Sequence, residues 1–109
     1  FISSSRGSEP AWSPYGISKW GLNGMVKGLA MTLFPYKINV NAIAPGATAT
    51  NLLGYNKGDS IYVDDNSECR YIMPVEIANF ASLIVSDAGT MINGEIVKIA
   101  SGRGSYDIR

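Results

Sequence analysis

The stretch SPYGISKWGLNGMVKGLAMTLFPYKINVNAIAPG, Ser13 to Gly46, decides the fold class. In its first part Leu22, Met25, Val26, Leu29 and Leu33 recur at helical spacing and predict one apolar face on a helix from about Pro14 to Phe34. Ser13 is a good N-cap, and Pro14 suits the first helical position. Pro35 stops the helix. The period then changes to two. Ile38, Val40, Ala42 and Ala44 share one side of a strand running from Ile38 to Ala44; Asn39, Asn41 and Ile43 share the other. Pro45-Gly46 ends it. Gly16, Gly21, Gly24 and Gly28 each lower helix propensity by roughly 1 kcal/mol relative to Ala. Such a cost makes sense where a backbone, a cofactor or a partner helix comes very close. The Gly24-x-x-x-Gly28 spacing reads as close soluble contact. The apolar run Gly21 to Phe34 contains Lys27 and falls short of the roughly 20 residues of a membrane span.

Outward from this stretch, residues 1–4 read as a strand end and residues 5–13 as a Ser-, Gly- and Pro-rich loop. Residues 47–73 are irregular and polar, a long loop of the kind that forms binding loops or lids. A second helix begins near Pro74-Val75-Glu76 and runs to about Ser86. Val75, Ala78, Ala81 and Val85 form its apolar side, with Phe80 and Ile84 adjoining. Asn93-Gly94 makes a turn, Glu95 to Ala100 is a last strand, and Ser101-Gly102-Arg103-Gly104 leads into a polar tail. The order strand, helix, strand, helix, strand, with right-handed crossovers, places three strands parallel beneath helices: an α/β arrangement. The first strand is left with an open edge, which invites association with another chain. A chain opening on Phe1-Ile2 rather than Met reads as a piece of a longer protein, cut through a strand by cloning or proteolysis.

Composition narrows the chemistry. At 109 residues the chain is one domain at most. Its 46% hydrophobic and 17% charged content argues against disorder. Nine cations balance nine acids with no basic stripe, which speaks against a nucleic-acid partner. There is no His, so Ser-His-Asp and Cys-His catalysis and the commonest metal ligand are gone. Cys69 has no internal disulfide partner, which fits a reduced cytoplasmic setting, and it reads as an incidental loop thiol. No signal-peptide pattern is present. Asp64-Asp65 reads as a solvated loop pair, because no further metal ligands converge on it. Trp12 and Trp20 read as contact residues within the fold or at an interface.

Tyr15 and Lys19 stand about one helical turn apart and share a face. A cation beside a phenol stabilises the ionised form, which makes a poor acid or base a usable one near neutral pH. Taken alone, the pair reads first as a surface tyrosine and a solvated lysine. Ser4 could likewise only satisfy a turn, and Ser3 or Ser5 could take its place. Asn39 and Asn41 could only bond neighbouring loops.

The ordered set of motifs resembles the C-terminal half of the short-chain dehydrogenase/reductase family over nearly the whole chain. Ile2-Ser3-Ser4-Ser5-Arg6-Gly7 is similar to that family's Ser-bearing strand end. Tyr15-Gly16-Ile17-Ser18-Lys19 is similar to its Tyr-x-x-x-Lys motif. Asn39-Val40-Asn41-Ala42-Ile43-Ala44-Pro45-Gly46, followed by Thr50, is similar to its Asn-rich strand ending in Pro-Gly. Ile92-Asn93-Gly94-Glu95 is similar to the turn into its last strand.

The resemblance implies that residues 1–109 are the C-terminal part of a Rossmann-like doubly wound parallel sheet, incomplete, with 47–73 as the substrate-binding region. It implies that Tyr15 exchanges a proton with a substrate carbonyl or alcohol. Ser4 would hydrogen-bond the same oxygen. Lys19 would ease the ionisation of Tyr15 and hold the ribose of an NAD or NADP cofactor. Pro45, Gly46, Ala47, Thr48 and Thr50 would contact the nicotinamide and adjacent phosphate. The protein would interconvert an alcohol and a carbonyl by hydride transfer, with a small-molecule substrate and as a homo-oligomer. The chain departs from the family in lacking the glycine-rich cofactor loop and the Asn of the proton relay. The frequent Gly-Gly after the last strand is Ser101-Gly102-Arg103-Gly104 here. These residues alone are therefore expected to be catalytically silent. The alternative reading is a non-catalytic oligomerisation module that associates through its open strand edge and glycine-rich helix; a degenerate homologue used only for binding is a third.

Overall fold

A computed structural model describes residues 1–103, so the polar tail expected from Gly104 onward lies outside the described residues. Two helices, α1 (Pro14–Leu33) and α2 (Pro74–Ile84), flank two parallel strands, β1 (Ala42–Pro45) and β2 (Ile96–Ile99). Residues 1–3 run parallel to β1 on its other edge. Ile2 bridges Ile43, the Ser3 N–H donates to the Ile43 carbonyl at 2.7 Å, and the Ile43 N–H donates to Phe1 at 3.0 Å. The expected parallel order is thus present with β1 in the middle, although the first strand is reduced to a single bridge. Phe1 and Ile2 are more than half exposed, and among the described residues nothing pairs with their outer edge.

α1 starts as its sequence dictates: the Ser13 hydroxyl accepts from the Gly16 N–H at 3.2 Å and Pro14 follows. It ends at Leu33 and tightens into a 3-10 turn over Phe34–Tyr36, closed by Lys37 in the left-handed region at φ 58°. Its inward face is Asn23, Val26 and Ala30, flanked by Leu29 and Leu33. Val26 is fully buried and packs with Ala30, Val40 and Ala42. Met25, expected on the apolar face, is 46% exposed.

β1 is shorter than the alternating pattern suggests, because residues 38–41 spend their polar groups elsewhere. The Val40 N–H donates to Asn93 Oδ1 at 2.8 Å, and the Gly94 N–H to the Val40 carbonyl at 2.9 Å. Asn39 Nδ2 donates to the Thr90 carbonyl (2.8 Å) and Asn41 Nδ2 to that of Ile92 (2.9 Å), while Asn41 Oδ1 accepts from the Glu95 N–H (3.0 Å). The two asparagines therefore bind the turn into β2, and Ile38 stays 47% exposed. Ala42, Ile43 and Ala44 are all buried, so the strand is covered on both faces, as a parallel strand between helices should be.

α2 shows its partly covered side through Ile77, Phe80, Ala81 and Ile84, whereas Val75, Ala78 and Val85 face outward. The covered stripe is therefore the adjoining side through Phe80 and Ile84, with Ala81, because that side packs toward β1, and not the expected stripe. Glu76 holds this end of the helix. Its carboxylate accepts from the Met73 N–H at 2.7 Å and from both Nη atoms of Arg70 at 2.9 and 2.7 Å. The Arg70 hydrogen bond, and then the Met73 N–H, hold the Glu76 carboxyl down at about 2.

Residues 47–73 are more ordered than their composition suggests. Thr48 bridges Ile72, Tyr62 bridges Arg70, Asn51–Leu53 form a 3-10 turn, and Tyr55 meets Tyr71 edge-on at 5.8 Å. The glycines of α1 behave unequally. A Cβ on Gly16 would lie 2.6 Å from that of Ala11, in line with the expected close approach. Gly21, Gly24 and Gly28 have no neighbour within 4 Å. At Gly7, in the 3-10 turn Ser5–Ser8, a Cβ would lie 2.6 Å from Asn23 Nδ2 and 2.9 Å from the Lys19 carbonyl oxygen.

Gly7→Ala is expected to destabilise the chain by about 1–3 kcal/mol, because the α1 backbone cannot move aside. Gly24→Ala, with open space around it, is expected to gain up to about 1 kcal/mol. Urea unfolding of the two variants should move in opposite directions. A second expectation concerns pH. A carboxyl whose folded value is depressed stabilises the fold above its ordinary value of 4.5 and loses that contribution as pH falls toward about 2. The stability deficit of Glu76→Gln relative to the parent should be full above about pH 4.5 and vanish near pH 2. A deficit that persists unchanged at pH 2 rules out the Arg70–Glu76 fork as its source.

Candidate functional site

Parallel α/β sheets open their ligand crevices at the carboxyl ends of their strands. Such a crevice, of about 710 Å³, lies beyond the end of β1. It is built by three segments that the fold brings together. The first is the chain leaving the Ile2–Ile43 bridge. Ser4 is extended there (φ −158°, ψ 152°), and its hydroxyl accepts from the Arg6 N–H at 3.2 Å, capping the turn Ser5–Ser8. Of the three adjacent serines, Ser3 and Ser5 are buried and Ser4 alone is half-buried. The Ser3 hydroxyl is spent on Asn23 Oδ1 at 2.5 Å.

The second segment is the start of α1. Tyr15 and Lys19 both line the cleft. Lys19 Nζ stands over the Tyr15 ring, 5.5 Å from its centroid, so the two share a face in direct contact as the four-residue spacing predicts. Tyr15 is 52% exposed, which leaves its phenol accessible from the cleft.

The third segment is the chain leaving β1. Pro45, Gly46, Ala47, Thr48 and Thr50 line the same cleft. Gly46 matters for approach: a Cβ there would sit 3.0 Å from Ala100 Cβ and 3.2 Å from its Cα, so only a residue without one lets the ends of β1 and β2 close on each other. The Thr48 hydroxyl donates to the Gly46 carbonyl at 3.0 Å and holds this turn in shape. Every residue singled out from the sequence therefore reaches one cleft. Its polar lining comprises the Lys19 ammonium, the Tyr15 phenol, the hydroxyl residues Ser3, Ser4, Ser5, Thr48 and Thr50 and the guanidinium residues Arg6 and Arg103, against an apolar wall of Leu52, Leu53, Pro74 and Ile77.

A second cavity of about 610 Å³ lies between β1, residues 1–2 and the end of α2. Asp87 is its one ionisable side chain, and none of Ser4, Tyr15 and Lys19 lines it, so the first cleft is the candidate site.

The roles of four residues are not evident from the sequence. Asn23 is buried on α1, accepting from Ser3 and donating through Nδ2 to the Gly7 carbonyl at 3.1 Å. It locks the serine segment onto the helix that carries Tyr15 and Lys19. Its position one turn beyond Lys19 was the only signal. Glu9, 7% exposed, and Arg103, in the cleft wall, form an ion pair. Asp65 joins Arg103 in a second ion pair, so the reading of Asp64-Asp65 as a solvated pair fails for Asp65: the end of the β2 segment folds back and covers it. Among the described residues no group of acidic, Cys or His side chains is arranged to hold a metal ion, and no helix is long and apolar enough to cross a membrane.

The family model described as Enoyl-(Acyl carrier protein) reductase matches residues 1–103. Dehydrogenase/reductase SDR family member 4 of Sus scrofa is 34% identical over 100 residues, covering 88% of this chain and 36% of that protein. Acetoin dehydrogenase YohF from Salmonella typhimurium superposes on 99% of the chain with a TM-score of 0.84 at 26% identity, and a 3-oxoacyl-[acyl-carrier protein] reductase with bound NAD from Brucella melitensis on 94% with a TM-score of 0.75 at 31% identity. The chain spans 44% and 38% of those two structures. On the match across residues 1–103, the 34% identity to that relative and the likeness of its fold to these structures, the chain belongs to the short-chain dehydrogenase/reductase family.

Proposed function

We propose that these residues supply the catalytic half of a nicotinamide-dependent oxidoreductase that interconverts an alcohol and a carbonyl on a small-molecule substrate. One observation carries the reading: Ser4, Tyr15, Lys19, Pro45, Gly46, Ala47, Thr48 and Thr50 line a single cleft at the end of the central strand. In this reading the Tyr15 phenol passes a proton to the substrate oxygen during reduction and takes it back during oxidation. The Ser4 hydroxyl donates a hydrogen bond to the same oxygen and steadies its developing charge. Lys19, which stands over the Tyr15 ring, would reach the ribose hydroxyls of NAD or NADP. The Pro45–Ala47 backbone with Thr48 and Thr50 would hold the nicotinamide and its phosphate. The cofactor, when bound, supplies the hydride.

Residues 47–73, folded on themselves beside the apolar wall, are the region proposed to select the substrate. The 109 residues contain no glycine-rich phosphate loop, so we further propose that alone they turn nothing over. A reducing compartment such as the cytoplasm fits the single exposed cysteine, Cys69.

A second reading has an observation of its own. Ile17, Trp20 and Met31 are all more than half exposed on α1, beside the open Gly21, Gly24 and Gly28. A helix face with so much apolar surface and so little bulk suits a second copy of the chain, so the protein is proposed to be a homo-oligomer. In the isolated residues this assembly role is the one that remains.

In the full-length protein, Tyr15→Phe should lower kcat by about 10²–10⁴-fold while cofactor affinity, followed by quenching of protein fluorescence, stays within a few-fold. A variant retaining near-parental kcat removes Tyr15 as the proton donor. Lys19→Met should weaken cofactor binding as well as turnover; unchanged cofactor affinity would show that the ammonium does not reach the ribose. Residues 1–109 alone should elute as an oligomer in size-exclusion chromatography with light scattering. A clean monomer at tens of micromolar excludes the assembly reading.

A further inference from the structure

The turn after β2 holds two successive residues in the left-handed region, Ser101 at φ 43° and Gly102 at φ 85°. Together they reverse the chain and deliver Arg103 into the wall of the cleft. There Arg103 Nε donates to Glu9 Oε1 at 3.0 Å, while its Nη1 is paired with Asp65 Oδ1. One guanidinium thus joins three segments distant in sequence: the serine-bearing loop before α1, the 47–73 loop and the end of β2. The three side chains are largely covered, at 21% exposed for Arg103, 9% for Glu9 and 18% for Asp65, so solvent ions screen the contacts less than a surface pair.

Both anchors are themselves fixed. The Glu9 carbonyl accepts from Trp20 Nε1 at 2.9 Å, which ties it to α1. On the other side the Ser67 N–H donates to the Ser101 carbonyl at 2.8 Å and the two serine hydroxyls meet at 2.7 Å, which ties the 47–73 loop to the β2 turn. The planar fork of an arginine directs separate N–H groups at two carboxylates, and its charge lies between them.

We propose that Arg103 is a positioning residue of the cleft, a clasp that holds the 47–73 loop against the serine-bearing segment and sets the width available to substrate. The clasp's effect on substrate rests on the cleft being the active site; its existence as a restraint on the loop does not. Without the guanidinium, Glu9 keeps only the more exposed Arg6, 3.5 Å away, Asp65 loses its cation, and the loop separates to hydrate the partly buried Asp65 carboxylate.

Hydrogen–deuterium exchange of the full-length protein, without cofactor or substrate, tests this, because exchange reports local opening residue by residue. The reporters are the Val63, Ser67, Cys69 and Tyr71 amides, which are bonded within the loop or to Ser101. Arg103→Met should speed their exchange by about tenfold or more, with Val26 on α1 and Ile43 on β1 unchanged. Arg103→Lys, which keeps a cation, should recover most of the protection. Asp65→Asn should reproduce the local effect, and adding it to Arg103→Met should change little further, since both remove one contact. Unchanged loop exchange in Arg103→Met overturns the proposal. So does equal acceleration at Val26 and Ile43, or a lysine variant no better than methionine. Failure here leaves the proposed proton transfer standing, and an active Tyr15→Phe enzyme leaves the clasp standing.

Discussion

The hydrogen bonding of β1 on both edges is the constraint from which the rest of the molecule follows. One edge takes Phe1 and Ser3; the other takes Glu95 and Ile99, with the Ala42 and Gly46 N–H groups donating across at 2.9 and 2.8 Å. A strand paired on both sides and covered on both faces cannot slip by one residue without forcing Ile43 into the space that Ala42 and Ala44 now fill. Its carboxyl end is therefore a fixed point, and three chain segments carrying the candidate site are placed relative to it. Small residues make this possible. Ala42, Ala44 and Gly46 leave room for α1 above and for β2 alongside.

The serine segment and α1 are held to each other by a buried polar link. Ser3, Asn23 and the Gly7 carbonyl form a short chain of hydrogen bonds in a place where an unpaired polar group is costly. Each member satisfies another, so the link fixes the distance between Ser4 and the helix face of Tyr15 and Lys19. The bare Gly7 lets the two backbones approach closely enough for it to form. Precision in the cleft is thus supplied from beneath, by residues that do not touch a ligand themselves.

The asparagines of residues 39–41 play the same part at the other end of the strand. They replace ladder bonds with side-chain bonds to the turn at residues 90–95, and so they align β2 with β1 before the register Ala42–Ile96 begins. The Asn-rich strand is consequently a junction and not a longer strand. This explains why an alternating pattern from Ile38 overstated its length.

The residues alone determined the α/β class, the two helices to within a few positions and the parallel order; the family resemblance pointed to Ser4, Tyr15, Lys19, Pro45, Gly46, Ala47, Thr48 and Thr50, which line one cleft. Those conclusions depend on short-range physics: helical spacing, capping by Ser13, breaks at Pro35 and Pro45-Gly46, and a motif order along the chain. They missed the rotation of the α2 face, the order within residues 47–73, and the roles of Asn23, Glu9, Asp65 and Arg103. Only the tertiary structure could decide these, since each depends on partners far along the chain: Arg103 and Glu9 are 94 residues apart, and Asn39 and Thr90 are 51 apart. A polar side chain looks the same in sequence whether it is solvated or buried with a partner. Which it becomes is settled by what the fold lays against it.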